Sequence, residues 1–275
     1  MYNPMTAAPT PVSAWVNAAR RLKTDGDLHG LMLHIEDPVG FGPGEEEVVC
    51  RVDAFLRDHD RCSVSTVSNT IFPADLDRGD GIDALTDRYM ETFERRMHRQ
   101  GEWGRYFQRM VAWPVGSGKN AGTVNQLAEH IRSLQAMREG TAKFFGNVTE
   151  IALFDPARDL RKKMNRQCLS FIELKPERDG DTWRLSMMAV YRNHYYVQRT
   201  LGNLIGLGRL LQFIARETGF EVGTLTIQST HACLDPDLSK RDVASLIASL
   251  DVPAAITAPS VVMDNLSMIE MEEHA

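Results

Sequence analysis

The 275-residue sequence lacks both a long apolar segment and a basic excess. No apolar run reaches the roughly 18 residues that a membrane span needs. The chain carries 31 Lys and Arg against 37 Asp and Glu, a formal net charge of −6, whereas proteins that bind duplex DNA normally carry a basic excess. The N-terminus shows no basic segment followed by an apolar one, the pattern of a secretion signal. We therefore expect a cytoplasmic protein with no membrane, DNA or RNA partner.

Cysteine is scarce, and its spacing excludes the common cysteine-based sites. Cys50, Cys62, Cys168 and Cys233 form no Cys-x-x-Cys pair and no Cys/His spacing typical of zinc. We expect neither a disulfide framework nor a metal site, and a reducing compartment. The segment 116–119, Gly-Ser-Gly-Lys, lacks the full spacing of a phosphate-binding loop, and a flexible turn is the better interpretation.

The chain is long enough to bury a substantial core. Its 43% apolar and 25% charged residues are typical of a globular protein. We expect a flexible N-terminal tail over 1–12 and a single domain over 13–275. Periodicity predicts helices over 13–22, 45–58, 82–98, 124–138, 201–218 and 240–250, and strands over 28–35, 62–71, 148–154, 168–174, 182–191, 223–230 and 261–263. The helix 201–218 is apolar on nearly all sides, which indicates a central, buried helix.

Potentially reactive side chains lie at the ends of several predicted elements. Cys168 begins a strand directly after the basic segment 158–166, so it is a candidate nucleophile, activated as a thiolate by nearby positive charge. A buried, inert cysteine is the alternative. Arg192 ends the neighbouring strand, where its guanidinium could clamp a phosphate or stack on tyrosines. Asn203 could read a heterocycle edge or cap the helix, and His231 could bind a ligand or be structural.

The order and spacing of these residues resemble a known family. Cys168 before a strand, Tyr191-Arg192-Asn193 at the end of the next, Gly202-Asn203 opening a long apolar helix and Thr230-His231 closing a further strand are similar to the thymidylate synthase and deoxycytidylate hydroxymethylase superfamily. The resemblance covers residues 155–235, with a weaker similarity over 101–113. It implies an α/β (α+β) fold with a large twisted mixed sheet, packed with a long buried helix and surrounding helices. It also implies a homodimer formed sheet to sheet.

The resemblance assigns roles to five residues. Cys168 falls on the nucleophile that adds to pyrimidine C6, and Arg192 on the arginine that binds the nucleotide phosphate and steadies the thiolate. Asn203 falls on the asparagine that reads the pyrimidine edge, and His231 on the histidine of the closing strand. Tyr106 lies near the tyrosine that orders the site. The implied reaction adds a methyl or hydroxymethyl group to C5, with 5,10-methylenetetrahydrofolate as the one-carbon donor.

Several positions depart from the family pattern around the substrate and the cofactor. Asn193 replaces the phosphate-binding serine, and Cys233 replaces the tyrosine that holds the ribose hydroxyl. On the folate side, Tyr195 stands in place of the aspartate that binds the pterin, and Arg199 in place of a glycine. These changes favour an altered substrate or donor, such as one in a modified-nucleoside or natural-product pathway. A same-fold enzyme acting on a non-nucleotide substrate without folate, and an inactive dimeric binding or scaffold protein, remain as alternatives.

Overall fold

The computed structural model describes residues 1–96, 105–163 and 166–250, and also residues 261 and 262, with the backbone alone at 96, 261 and 262. Its strands are β1 (Asn3–Pro4), β2 (Leu28–Ile35), β3 (Gly40–Phe41), β4 (Trp113–Val115), β5 (Gly122–Val124), β6 (Glu150–Ala152), β7 (Leu169–Asp179), β8 (Thr182–Tyr191), β9 (His194–Tyr195), β10 (Glu221–Cys233) and β11 (Val261–Val262). Its helices are α1 (Pro11–Asp25), α2 (Glu45–Asp58), α3 (Val64–Asn69), α4 (Ile82–Arg96), α5 (Tyr106–Val111), α6 (Gln126–Arg138), α7 (Pro156–Asp159), α8 (Leu201–Thr218) and α9 (Lys240–Ser249). None of these helices combines the length and the apolar character that crossing a bilayer requires.

A seven-stranded mixed sheet forms the centre of the described fold. Its order is β1-β2-β10-β8-β7-β6, and β9 pairs with the end of β10. β10 runs parallel to β8 and antiparallel to β2, while β7 and β8 form an antiparallel hairpin. Gly180 closes this hairpin at φ 59°, a conformation that favours glycine. The fold is therefore mixed α/β, in agreement with the predicted class at this level.

The central helix α8 connects the parallel strands β8 and β10 and packs against the sheet. Three of its glycines let neighbouring backbone approach closely. A β-carbon at Gly206 would lie 2.7 Å from the carbonyl oxygen of Ser68, and one at Gly208 would lie 1.9 Å from that of Pro38. A β-carbon at Gly202 would lie 2.6 Å from that of Val67. The contact between α3 and α8 is thus made possible by the absence of side chains.

The predicted flexible tail over 1–12 is wrong, because this segment joins the edge of the sheet. β1 pairs in parallel with β2. The amides of Met5 and Ala8 donate to the carbonyl oxygens of Met32 and His34, each at 2.9 Å. Ala8 is only 2% exposed. The proline- and threonine-rich composition of this segment predicted a loop, although its backbone forms hydrogen bonds with the edge of a strand.

The predicted β segment over 62–71 is also wrong, since Val64–Asn69 forms helix α3. Ser63 caps it, and its hydroxyl accepts from the amide of Thr66 at 3.1 Å. The β-branched residues favour a strand, but packing against the glycines of α8 overrides that preference.

Most other predicted elements are confirmed, some with shifted ends. The strands over 28–35 and 182–191 and the helices over 45–58 and 201–218 have the predicted bounds. Helix α1 extends beyond 13–22 in both directions, and β10 extends beyond 223–230 in both directions. The predicted strand over 148–154 is reduced to β6. Residues 97 and 98 of the predicted helix, and residue 263, lie outside the described residues.

We expect Gly206→Ala to destabilise the protein although alanine has the higher helix propensity. The added methyl group would meet the backbone of Ser68, and such overpacking costs about 1–3 kcal/mol. Urea denaturation would measure the change in the free energy of unfolding. Gly122→Ala is the matched control, because nothing lies within 4 Å of its β-carbon position, so its effect should stay within about 0.5 kcal/mol. Equal stabilities for the two variants would contradict this account of the α3–α8 contact.

Candidate functional site

Cys168 lies immediately before β7, half-buried against the core. Its amide and that of Leu169 both donate to the phenolic oxygen of Tyr106, each at 3.2 Å. Burial, with a contribution from Cys168, raises the pKa of Tyr106 to about 12, so the phenol is neutral at physiological pH. The predicted nucleophile and the predicted ordering tyrosine are therefore in direct contact, through the backbone of the cysteine.

A buried ion pair holds Tyr106 in this position. Tyr106 begins helix α5, and Arg109, one turn later, pairs with Asp159 of α7. The guanidinium also donates to the carbonyl oxygen of Leu153 at 2.6 Å. Both charged side chains are 2% exposed or less, and removing one partner of such a pair is strongly destabilising. The ion pair thus fixes α5, and with it the hydroxyl that orients Cys168.

Arg192 holds the segment that precedes Cys168. Its Nε donates to the carbonyl oxygen of Gln167 and its Nη2 to that of Arg166, both at 2.9 Å. Its own amide donates to the carbonyl oxygen of Cys168 at 2.9 Å. The sequence predicted a phosphate clamp at this residue. In the structure two of its guanidinium nitrogens bind the backbone beside the cysteine, so Arg192 acts directly on the position of the sulfur.

The electrostatics at the sulfur combine burial with positive charge. Burial raises the pKa of the Cys168 thiol, and the guanidinium groups of Arg192, Arg199 and Arg166 oppose that rise without overcoming it. The unliganded protein therefore holds a thiol within a positive field. Such surroundings attract an anionic ligand and lower the free-energy cost of forming a thiolate beside it.

A neutral histidine lies behind this site. His194 is 1% exposed, and burial lowers its pKa to about 3. The amide nitrogen of Asn203 lies 3.0 Å from Nε2, and the hydroxyl of Ser229 lies 2.9 Å from Nδ1. An amide nitrogen can only donate, so Nε2 accepts and Nδ1–H donates to Ser229. The ring of Tyr191 stacks on the imidazole at 3.9 Å. Asn203, predicted to read a substrate edge, is 3% exposed and contacts this histidine.

His231 and Cys233 lie at the far end of β10, beside Asp27. His231 bonds through Nδ1 to the side-chain oxygen of Asn193, and its Nε2 lies 3.4 Å from a carboxylate oxygen of Asp27. The sulfur of buried Cys233 lies 4.0 Å from the carbonyl oxygen of His194. The structure thus brings together the predicted pair Asn193 and His231, and adds an acidic residue, Asp27, from the bend that precedes β2.

The two residues predicted on the folate side, Tyr195 and Arg199, are exposed; Tyr195 precedes the π-helical turn Tyr196–Thr200, and Arg199 lies within it. Asp235 caps this turn by accepting from the amide of Val197 at 2.7 Å. Burial raises the pKa of Asp235 to about 6, although the backbone hydrogen bonds oppose the rise. The turn is therefore fixed from beneath by a buried carboxyl group.

Sequence reasoning missed Asp27, the central role of His194 and the approach of Arg199 to the sulfur, while the positive charge of Arg166 beside Cys168 was expected from the basic segment 158–166. Asp27 carried a usable signal, since Asp27 and His29 alternate at the start of β2 as His231 and Cys233 do at the end of β10. Pairing of those two strands is what joins them. The approach of Arg199 had no local signal, because Arg199 lies in a segment distant in sequence from Cys168.

A scan against models of known protein families finds no match for this chain, and a search of curated proteins finds none either.

We expect His194→Gln to remove a pH-dependent contribution to stability. The folded pKa of His194 lies near 3 and the ordinary value is 6.5, so the unfolded state binds the proton first as the pH falls. The contribution from neutral His194 is complete above about pH 6.5 and decreases towards pH 3. The difference in unfolding free energy between wild type and variant should shrink by roughly 3 kcal/mol between pH 7 and pH 4. Urea denaturation at several pH values measures this difference, and a constant difference would exclude a neutral buried His194.

Proposed function

We propose that this chain is a thymidylate synthase-like transferase that adds a methyl or hydroxymethyl group to C5 of a pyrimidine nucleotide or related heterocycle. The observation that carries the proposal is the half-buried Cys168 in the field of three guanidinium groups, with its amide held by Tyr106. A nucleophile with guanidinium groups around it suits an anionic, electron-poor ring. The fold class and the matched order of Cys168, Arg192, Asn203 and His231 support the same family.

The chemistry at the sulfur follows from this arrangement. Once Cys168 loses its proton, addition to C6 forms the S–C6 bond and moves the π-electron pair to C5, where the C4 carbonyl stabilises it as an enolate. C5 then bonds to the carbon of a formaldehyde-level electrophile, whose C–heteroatom π-electron pair moves onto the heteroatom; with oxygen as that atom, protonation gives the hydroxymethyl product, whereas a methyl product would also need a hydride donor. Loss of the C5 proton to a base and cleavage of the S–C6 bond restore the ring double bond and the thiolate. Arg192, Arg199 and Arg166 favour each state in which sulfur or ring carries negative charge.

The residues on the predicted folate side do not reproduce a pterin site. Tyr195 and Arg199 are both exposed. A phenol and a guanidinium supply no carboxylate to accept from the N–H groups of a pterin. We therefore assign no step to 5,10-methylenetetrahydrofolate and leave the donor defined by its reactive carbon. This departure favours a specialised role, such as modified-nucleoside or natural-product synthesis, over ordinary thymidylate synthesis.

The sheet supports a homodimer formed face to face. Its strands bury one side against α8, while residues on the opposite side stay partly exposed. Phe171, Val190, Gln228 and Met32 lie side by side across four strands on that opposite face, according to the strand register. A row with three large apolar side chains suits a partner surface, and a second copy of the same face is self-complementary about a twofold axis.

We also propose that the protein acts in the cytoplasm. All four cysteines are free thiols, and Cys50 and Cys62 are exposed. Unpaired exposed thiols persist best in a reducing compartment.

We expect wild-type protein to catalyse exchange of the C5 proton of a pyrimidine nucleotide with solvent deuterium, without any one-carbon donor. Addition of the Cys168 sulfur at C6 makes C5 basic, so the exchange reports this step alone. Mass spectrometry of dUMP, dCMP, UMP and CMP in D₂O would measure it. Cys168→Ser should abolish exchange, and Cys50→Ser, which changes an exposed thiol elsewhere, should retain it. Absence of exchange with all four nucleotides would contradict the proposal on nucleotides.

We expect wild-type protein to have twice the chain mass in solution and Val190→Glu to have the mass of one chain. The substitution places a charge at the centre of the proposed face, where two copies would bring like charges together. Light scattering after size-exclusion chromatography measures the mass. Val115→Glu is the matched control, because Val115 is 41% exposed away from this sheet, and it should leave the mass unchanged. A wild-type monomer would rule out the homodimer.

A further inference from the structure

The start of β2 and the end of β10 bring four potential metal ligands to one corner of the sheet. Strand register pairs His231 with His29 and Ala232 with Leu28, which sets Asp27 opposite Cys233. His231 and Cys233 lie two apart on β10 and so share a face of the sheet. Asp27 lies in the bend just before β2 and reaches both of them. The ligand atoms of Asp27, His231 and Cys233 lie within 4.8 Å of one another, and the ring centroid of His29 lies 5.2 Å from that of His231.

We propose that Asp27, His231 and Cys233 bind a zinc ion. A carboxylate oxygen, an imidazole nitrogen and a thiolate sulfur form a donor set that suits this borderline-soft cation. Ligand atoms around tetrahedral zinc lie roughly 3.3–3.8 Å apart, given metal–ligand distances of about 2.0–2.3 Å. The carboxylate oxygen of Asp27 and Nε2 of His231 already lie 3.4 Å apart. The remaining separations, to the sulfur of Cys233, are at most 4.8 Å, about 1 Å longer than those around zinc, and the exposed side chain of Asp27 can adjust as the site closes.

The environment of His231 is that of a metal ligand. Its Nδ1 bonds to the side-chain oxygen of Asn193, an acceptor, so Nδ1 carries a proton and Nε2 is the ring nitrogen that faces Asp27. Metal-binding histidines characteristically donate their second ring nitrogen to such an acceptor, which fixes both tautomer and ring orientation. Asn193 therefore acts as a positioning residue for this site.

The charge around Cys233 also favours a cation. The carboxylates of Asp27 and Asp235 both place negative charge near its sulfur. Zinc would supply the missing positive charge and form the thiolate, releasing one proton to solvent as it binds. Three protein ligands leave a fourth coordination position, beside His29, for water or for that imidazole. This site shares His231 and Cys233 with the residues that the resemblance places at the substrate, and Cys168 acts electrostatically on Cys233. A metal titration needs no turnover at Cys168, so either proposal can fail without the other.

The test measures metal binding directly on the full chain after removal of metals with a chelator. Wild-type protein should bind one Zn²⁺ per chain in a calorimetric titration and release one proton. Replacement by Co²⁺ should produce a thiolate-to-metal charge-transfer absorption band, which reports sulfur coordination. Asp27→Asn and His231→Gln should each weaken binding by more than about a hundredfold, and Asn193→Ala by about tenfold to a hundredfold.

The controls separate loss of a ligand from loss of the fold. Asp27 is exposed, so Asp27→Asn should keep the metal-free unfolding curve of wild type. Cys233→Ser should remove the charge-transfer band, whereas Cys62→Ser, which changes an exposed cysteine, should keep both band and stoichiometry. Binding of less than about one tenth of an equivalent of zinc by wild type would overturn the proposal. Equal affinity in Asp27→Asn, or a band that survives Cys233→Ser, would overturn it as well.

Discussion

The contacts of one uncharged imidazole hold the centre of this molecule together. His194 joins strand β9 to the hydroxyl of Ser229 on β10 and to the amide of Asn203 on α8. A charged ring could not accept from Asn203, so the whole arrangement requires the neutral form. β9 begins two residues after Arg192, and Arg192 holds the backbone that precedes Cys168. The position of the Cys168 sulfur therefore depends on the hydrogen bonds of His194. Core and site are therefore one network.

Much of the framework could be predicted from sequence because its signals are local. The apolar helix ending at Gly219 and the hairpin at Gly180 carry their own patterns, and both form as expected. Failures arose where partners distant in sequence decide the structure. Val64–Asn69 is helical because it packs on the glycines of α8, and the N-terminal residues pair with a strand whose edge no local pattern reveals. Tertiary contact outweighed local preference in both places.

The sequence predicted which residues lie near one another at the site better than it predicted what each residue contacts. Tyr106 and Cys168, 62 positions apart, meet as expected, and Asn193 meets His231. Arg192 donates to main-chain carbonyl oxygens, and Asn203 donates to a histidine. The spacing of residues in the sequence does not predict these partners. The spacing of residues in the sequence predicts which position of the fold a side chain occupies. The partner that it finds depends on which neighbouring groups are buried without another donor or acceptor.

The buried carboxyl group of Asp235 and the imidazole of His194 titrate in opposing senses. The pKa of Asp235 rises from 3.8 to about 6, so its contribution to stability is complete below 3.8 and is lost as pH increases through 6. The pKa of His194 falls from 6.5 to about 3, so its contribution to stability is complete above 6.5 and is lost as pH decreases through 3. Across mild acidity the two proton equilibria nearly cancel, so the folded population should respond weakly to acid there. Acid unfolding in that range would then have to come from other titrating groups.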